Sequence, residues 1–572
     1  MNESPDWKIP SSSPSLWRDW LLAIVVSAVA ALAIVAIFAV RGAPSGHDFQ
    51  FHGAMWLEVA NQWRQGILFP RWAGWANWGF GEPRFIFYPP LSWMLGAALG
   101  LVAGWKLAAG LFVVAAQTLA GVSMFALARR TLARRAALFA AFAYAANPYT
   151  LLVAYLRSDF AEELAGAIFP LLLLTLSDLA EAAESRAAAR HAGRFALVFA
   201  AIWLCNAPAG VLASYSAALL FGWMALRARS WRPLLLGAGG IGLGFGIPAF
   251  YLIPAVYEQR WVRIGEALSS GLRPSENFLF TSINDPEHNL FNWIASATAV
   301  GMILIAGAAG VVAHRKAESG AEKKQWQGLM LIAAAATALM IPISSPLWRF
   351  LPELKYLQFP WRWMLVLAVP FAYSLGAAMR GRFGWVWVVL FLVTAGSTGT
   401  MHVKQTWWDA DDIPTLQEAI KQGQGYEGVD EYDPIGDDRT DLPQNAPRAQ
   451  ILPVVHAQKF SETRLHEERW TAEEKVLTVT LREEAWLKMR LLNYPAWRVK
   501  IDGHGIRPAA SEETVAMVLP LSPGTHRIEV KFGRTTDRTA GIVVSCLSLL
   551  VSLAMLYAGS LRPTGAVPTF SG

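Results

Sequence analysis

The sequence predicts a mainly α-helical polytopic membrane protein of about twelve spans with a small extracytoplasmic β-sandwich near its C-terminus. Three observations point there. Of the 572 residues, 54% are hydrophobic and only 16% charged, against roughly 25% charged in soluble chains. Apolar runs of about 20 residues, long enough to cross a bilayer as helices, recur along the chain. Between Lys475 and Phe532 the pattern changes to apolar–polar alternation broken by turn residues, the period-two signature of half-buried strands.

Residues 1–19 are polar and rich in Ser and Pro, with no cleavage signature. They precede an apolar run longer than a signal-peptide core. The expectation is a cytoplasmic tail followed by an uncleaved first span at 20–40, which places loop 41–90 outside. The apolar block 91–128 is too long for one straight span. Arg129, Arg130, Arg134 and Arg135 follow it and belong on the cytoplasmic side by the positive-inside rule. Only one net crossing fits, so 91–104 is expected to be a partial or tilted helix at the outer interface, followed by a full span. Further spans are expected near 134–147, 162–178, 194–206, 209–227, 234–257, 291–313, 327–343, 361–379, 384–400 and 540–558. The basic groups Arg186/Arg190/Arg194, Arg227/Arg229/Arg232, Arg315/Lys316/Lys323/Lys324 and Arg380/Arg382 then all fall inside. The opposite loops, 148–161, 258–290, 344–360 and 401–538, are richer in acids, Pro and aromatics. The net charge of +6 thus reads as topology, with no nucleic-acid partner. Cys205 and Cys546 lie in apolar segments, which argues against a disulfide framework. The glycine cluster Gly237 to Gly246 fits close helix packing.

The domain organisation follows: a transmembrane domain over 20–400, an extracytoplasmic domain over 401–538 with the sandwich in its second half, a last transmembrane helix over 539–558, and a cytoplasmic tail over 559–572. The first half of 401–538 reads as loop. Strands are expected at 475–481, 486–492, 497–501, 515–519 and 526–532, with turns at Asp502-Gly503 and Pro523-Gly524.

The candidate chemistry gathers in the outer loops. The stretch from Gly46 to Leu91 holds five Trp, three acids and three Arg, and a long aromatic loop is more often a site than a spacer. Asp48 stands at its start, placed either to act as a base or cation ligand, or merely to cap the helix that follows. Asp159, Glu162 and Glu163 recur at i, i+3, i+4, on one helical face. Acids at a membrane helix are costly unless paired or used; the plain alternative is complementing the helix dipole. Arg157 beside them is a candidate ion-pair partner. Arg362, between Trp361 and Trp363, suits a phosphate, although composition favours an aromatic-belt anchor with a snorkelling guanidinium. His47 and His52, five apart, are poorly spaced as ligands and read as polar surface residues. The sequence contains no P-loop, dinucleotide fingerprint, Cys/His zinc pattern or Gly-x-Ser-x-Gly elbow.

The order of these pieces resembles the GT-C superfamily of polytopic glycosyltransferases and, more closely, the bacterial membrane family labelled 6-pyruvoyl-tetrahydropterin synthase-related, with its YfhO-type relatives. The matching pieces are Asp48-x-x-x-His52, Gly66 to Trp72, Phe87 to Leu91, Arg157-Ser-Asp-Phe-Ala-Glu162, Gln358-Phe-Pro-Trp-Arg362, Asn493 to Gly503, and Leu521 to Phe532. The pterin label carries no chemistry here, because the His-rich zinc site such an enzyme needs is not in the sequence. The GT-C resemblance implies sugar transfer from a polyprenyl-phosphate donor to an extracytoplasmic glycan, lipid or protein acceptor. It implies Asp48 and Asp159 as the catalytic acids, with Arg84, Tyr88, Arg157, Glu162, Arg362 and His52 contacting substrate. The first loop has a lone Asp rather than a pair of acids, so no cofactor is fixed; a divalent cation (Mg or Mn), if used, would fall to Asp48 and Asp159. The competing readings are a non-catalytic member of the same fold acting in lipid-glycan transport or envelope assembly, and a membrane scaffold. Charged residues at the ends of the spans rather than mid-span favour the enzyme over a transporter.

Overall fold

The computed structural model describes residues 14–185, 187–408, 411–436, 442–453 and 464–558. The tail expected over 559–572, most of that over 1–19, and Arg186 lie outside them. Helix α1 (Pro14–Val35) is followed by α2 (Phe49–Arg64), which belongs to the first loop. Then come α3 (Pro90–Ala103) and α4 (Trp105–Ala128), separated by Gly104 at φ +86°. That left-handed conformation is open to glycine at little cost, and it produces the short helix plus full span expected from the charge pattern. Helix α5 (Arg134–Ala145) leads through two short turns of helix, Pro148–Leu152 and Val153–Arg157, to Ser158 at φ +52°. The bundle continues with α6 (Phe160–Glu181), α7 (Ala188–Cys205), α8 (Ala207–Ala228), α9 (Arg232–Gly246), α10 (Ala249–Glu258), α11 (Pro286–Lys316) and α12 (Gly320–Met340). It is completed by α13 (Met364–Ala378), α14 (Gly384–Gln405), α15 (Asp412–Lys421) and, after the sandwich, α16 (Thr536–Ala558).

Among the described residues, nine helices are long and apolar enough to cross a membrane, or eleven if two pairs bent by 75° and 89° each make one span. The other expected span, 361–379, is α13. Its 15 residues are all buried and continue without a break from the helical turn Pro360–Trp363, so the two together reach about 30 Å, the thickness of the hydrocarbon layer. Packed against α5, α11 and α12, it is the bundle's central post. At one end of the bundle, basic residues pair with acids: Arg130 with Asp178 and Glu181, Arg134 with Asp19, Arg380 with Glu322. The other end carries the sandwich.

The sandwich has nine strands: β1 (Ala449–Pro453), β2 (Arg464–Trp470), β3 (Glu474–Leu481), β4 (Ala485–Leu492), β5 (Trp497–Ile501), β6 (His504–Ile506), β7 (Ala509–Ala510), β8 (Ala516–Leu521) and β9 (Gly524–Phe532). They form two antiparallel sheets, ordered β1-β4-β8-β7 and β2-β3-β9-β5-β6. The five strands expected from alternation are β3, β4, β5, β8 and β9. The four not expected are the four sheet edges, where a strand buries little and the pattern fades. Residues 412–421, expected as loop, form α15; Ile413 and Leu416 close on Gly53 of α2, while Ser45 and Gln50 both donate to Asp412.

The first loop and the sandwich share one core. Trp72, fully buried, lies against Tyr494, Trp497 and Phe532 in a cluster that also takes in Phe80, Ile86, Phe87 and inward residues of both sheets. Arg71 pairs with Glu473. On the other side, the buried Glu258 of α10 accepts from Arg538 Nε and Nη2, each at 2.7 Å, and from the Tyr494 hydroxyl at 2.6 Å.

Candidate functional site

Asp48 is placed by backbone. Gly46 N donates to Ser158 Oγ (3.1 Å), His47 N to Leu156 O (3.2 Å) and Asp48 N to Arg157 O (2.8 Å). The start of the first loop is therefore held along residues 156–158. The approach is close: a Cβ on Gly46 would fall 2.6 Å from the Arg157 carbonyl carbon. Asp48 does stand at the N-cap position of α2, but its side chain caps nothing. It pairs instead with Arg157 Nη2.

The same Arg157 nitrogen lies 3.6 Å from Asp159 Oδ2. Asp159 caps α6, accepting from Glu162 N at 3.0 Å, so it sits at the helix N-terminus as the dipole alternative expects, and carries the ion pairs as well. Arg362 completes the cluster: Nη2 is 3.4 Å from Asp159 Oδ2 and Nε 3.1 Å from Glu162 Oε2. Its remaining Nη1 donates to Leu357 O at 3.1 Å. Glu162 also accepts from the Tyr149 hydroxyl. Both guanidinium groups lie 5.0 Å from the centre of the Phe359 ring. Arg362 is thus an enclosed partner of two acids, which corrects the expectation of a snorkelling anchor: carboxylates 200 residues away hold it inside.

His52 corrects the surface expectation as well. It is fully buried, with Nε2 3.6 Å from Asp159 Oδ1 and its ring edge-on to Tyr88 and Phe160. His47 remains exposed. Burial would raise the Asp159 carboxyl, but His52, Arg362 and Arg157 outweigh it and hold Asp159 well below the ordinary carboxylate range. Burial, then the facing Asp159 and Asp48, push the Tyr88 phenol up, so it stays protonated. Access is unequal. The Asp48 side chain is 31% exposed and that of Asp159 3%, so Asp48 is the acid open to solvent.

Arg84 is not part of this cluster. It is buried, paired with Glu82 at 2.5 Å, and lies over Phe51 and Tyr426. Glu82 also accepts from Val429 N, so the pair clamps the first loop to the segment after α15. Beneath the cluster, a cavity of about 30 Å³ is lined by Gln117, Asn147, Tyr149, Thr150, Glu162 and Glu163. Tyr149 was not picked out from the sequence; its position two residues after Asn147, which caps the helical turn by accepting from Tyr149 N and Thr150 N, was the available signal. The donor set does not suit a divalent cation at Asp48 and Asp159. The Arg157 guanidinium joins the two carboxylates, Arg362 takes the second, and among the described residues no three Asp, Glu, His or Cys converge as metal ligands.

These features define a class: a membrane protein in which two loops at one end of a helical bundle enclose an acid–arginine cluster beside a β-sandwich. Residues 85–402, more than half of the chain, match the family described as 6-pyruvoyl-tetrahydropterin synthase related domain, membrane protein, and the chain belongs to that family. Among solved structures it is similar to the oligosaccharyltransferase AglB from Archaeoglobus fulgidus in complex with an inhibitory peptide and a dolichol-phosphate, at 15% identity and TM-score 0.41 over 69% of this chain and 56% of that one. It is also similar to the arabinofuranosyltransferase AftD from Mycobacteria (15%, 0.41, 71% and 29%) and to ArnT from Cupriavidus metallidurans (13%, 0.28, 74% and 91%). The match thus spans little more than half the length of AglB. No curated protein matches the sequence.

Proposed function

We propose that the chain is a glycosyltransferase of the plasma membrane, moving a sugar from a polyprenyl-phosphate donor to a hydroxyl of an acceptor on the extracytoplasmic side, where loop 41–90 and the sandwich lie. One observation carries the reading: a single guanidinium nitrogen, Nη2 of Arg157, is shared by the half-exposed Asp48 and the sealed Asp159. The acceptor hydroxyl gives its proton to Asp48 as its oxygen bonds to the anomeric carbon. The bond from that carbon to the phosphate oxygen breaks, and the polyprenyl phosphate leaves with the electron pair. Protonation removes the charge of Asp48 from Arg157, so the guanidinium, still anchored by Asp159, turns its free charge to the departing phosphate as negative charge develops there. Asp159 keeps Arg157 and Arg362 in place throughout and is a positioning residue, with His52 and Tyr88 at its side. The order of motifs resembling GT-C enzymes supports this reading.

The test is transfer by the full-length protein in nanodiscs, with radiolabelled polyprenyl-phosphate sugars and a membrane glycan extract. Asp48→Asn is expected to lose at least a hundredfold in transfer while retaining donor binding. No turnover of any donor by the wild type, or full turnover by Asp48→Asn, overturns the proposal and favours lipid-glycan handling without catalysis.

A further inference from the structure

A second pocket lies between α2 and the sandwich. Its cavity, about 40 Å³, is lined by Glu58 and Asn61 of α2, Trp75 of the first loop, Trp470 at the end of β2, Lys475 of β3 and Arg490 of β4, with Arg448 at the rim. Glu58 lies ten residues beyond Asp48 on α2, about 15 Å along the helix, so this is a separate place from the acid–arginine cluster.

Its two buried cations have no ionic partner among the described residues. Lys475 is 2% exposed. Its ammonium donates to Ala472 O at 2.7 Å and sits 4.4 Å from the centre of the Trp497 ring; among the described residues it makes no ion pair. Arg490, also buried, spends Nη1 on Ala446 O and Nη2 on Gly423 O and likewise makes no ion pair among the described residues. It is pressed against Gly79, where a Cβ would fall 2.0 Å from Nη2. Glu58 is turned to other partners: it accepts from Trp75 N at 2.5 Å and from the Tyr426 hydroxyl at 3.3 Å. The two buried cations thus face carboxylates committed elsewhere, Glu58 to these donors and Glu473 to Arg71, while Arg448 at the rim pairs with Glu467. Burying a cation without a countercharge is costly, and an anion seated here offsets that cost. Burial lowers the Lys475 ammonium to about 7, with Glu473 and Glu58 opposing it; an anion beside it restores the charge. The walls are indoles, Trp470 and Trp75, both half-buried. The cavity admits a carboxylate or phosphate group, while a sugar ring would lie across its mouth against Trp470.

We infer that this pocket binds the acidic group of a saccharide, a sugar bearing a carboxylate or a phosphate, with Lys475 and Arg490 holding the anion and Trp470 the ring. Its role as a subsite for the distal part of the acceptor rests on the transferase reading; the binding itself does not. The test is titration of the full-length protein in nanodiscs with a glucuronate-containing disaccharide, its carboxyl-reduced neutral counterpart, and inorganic phosphate, followed by saturation-transfer NMR. The acidic disaccharide is expected to bind at least tenfold more tightly than the neutral one. Lys475→Met is expected to weaken it tenfold, and the rim variants Trp470→Ala, whose ring lies 5.8 Å from the Lys475 ammonium, and Arg448→Gln, which leaves both buried cations in place, severalfold each. Asp48→Asn is expected to leave binding unchanged, so a protein that binds but does not transfer sinks the transferase reading and not this one. The inference falls if acidic and neutral disaccharides bind alike or not at all, if phosphate alone binds as tightly as the acidic disaccharide, or if the rim variants leave affinity intact.

Discussion

Removing Arg362 strips two buried acids of their partner at once. Its guanidinium stands 3.1 Å from Glu162 and 3.4 Å from Asp159, whose side chains are each 3% exposed. At an effective dielectric of about 20, each contact contributes roughly 5 kcal/mol of Coulomb attraction, much of it offset by the desolvation of the groups involved. The net cost of breaking such a pair from one side is about 3–5 kcal/mol, because the stranded charge stays buried. Arg362→Met is therefore expected to destabilise the protein by about that amount, read as a shift of the thermal or denaturant transition in detergent. Neutralising the stranded acid should return a large part of it. Glu162→Gln in the Arg362→Met background is expected to recover about 2 kcal/mol or more, and the double-mutant cycle to show coupling in the range of contacting residues. The amide keeps the size of the carboxyl and can still accept from Tyr149, so packing is preserved. A single-variant cost below about 1 kcal/mol, or additive effects of the two substitutions, would refute the claim that these charges form one buried unit.

Trp72→Ala is expected to cost about 3–5 kcal/mol and to separate the first loop from the sandwich, detected as faster proteolysis between the two. Gly46→Ala is expected to lift the loop off residues 156–158, because its methyl would meet the Arg157 and Leu156 backbone at under 3 Å; transfer should fall at least tenfold in the activity assay while the melting transition moves little. Glu58 gives a pH prediction. Burial, partly opposed by the Trp75 N–H and Gln62, raises its carboxyl from 4.5 to about 7. Between those values the folded state holds a proton the unfolded chain has released, so stability falls as pH rises from 4.5 to 7, by up to about 3 kcal/mol. Melting curves across that window should flatten in Glu58→Gln, and an unchanged slope would remove Glu58 as its source.

What the sequence made legible followed from local periodicity, and what it hid came from distant partners. Asp159, Glu162 and Glu163 on one helical face, and Arg157 as an ion-pair partner, were readable because neighbours within a turn share a face. The identity of Arg362's partners was not, because the same Trp-Arg-Trp composition serves a membrane-facing anchor, and only the fold brings 362 to 159 and 162. The five-residue spacing of His47 and His52 carries no sign of His52's burial, because its partner Asp159 lies on another segment. Two misses had signals in plain view. In α15, Ile413, Leu416 and Ile420 fall at i, i+3, i+7, an amphipathic stripe masked by flanking Asp, Gly and Pro. In β3, Lys475 has the parity of Leu477, Val479 and Leu481, so period two alone puts this lysine on the inward face of the sheet. A charge on the core face of a strand breaks the pattern that folds the strand, and such breaks are retained where function compensates for them. The alternation that identifies β3 thus also marks Lys475, which lines the pocket beside α2, as the one charged residue on the strand's inward face.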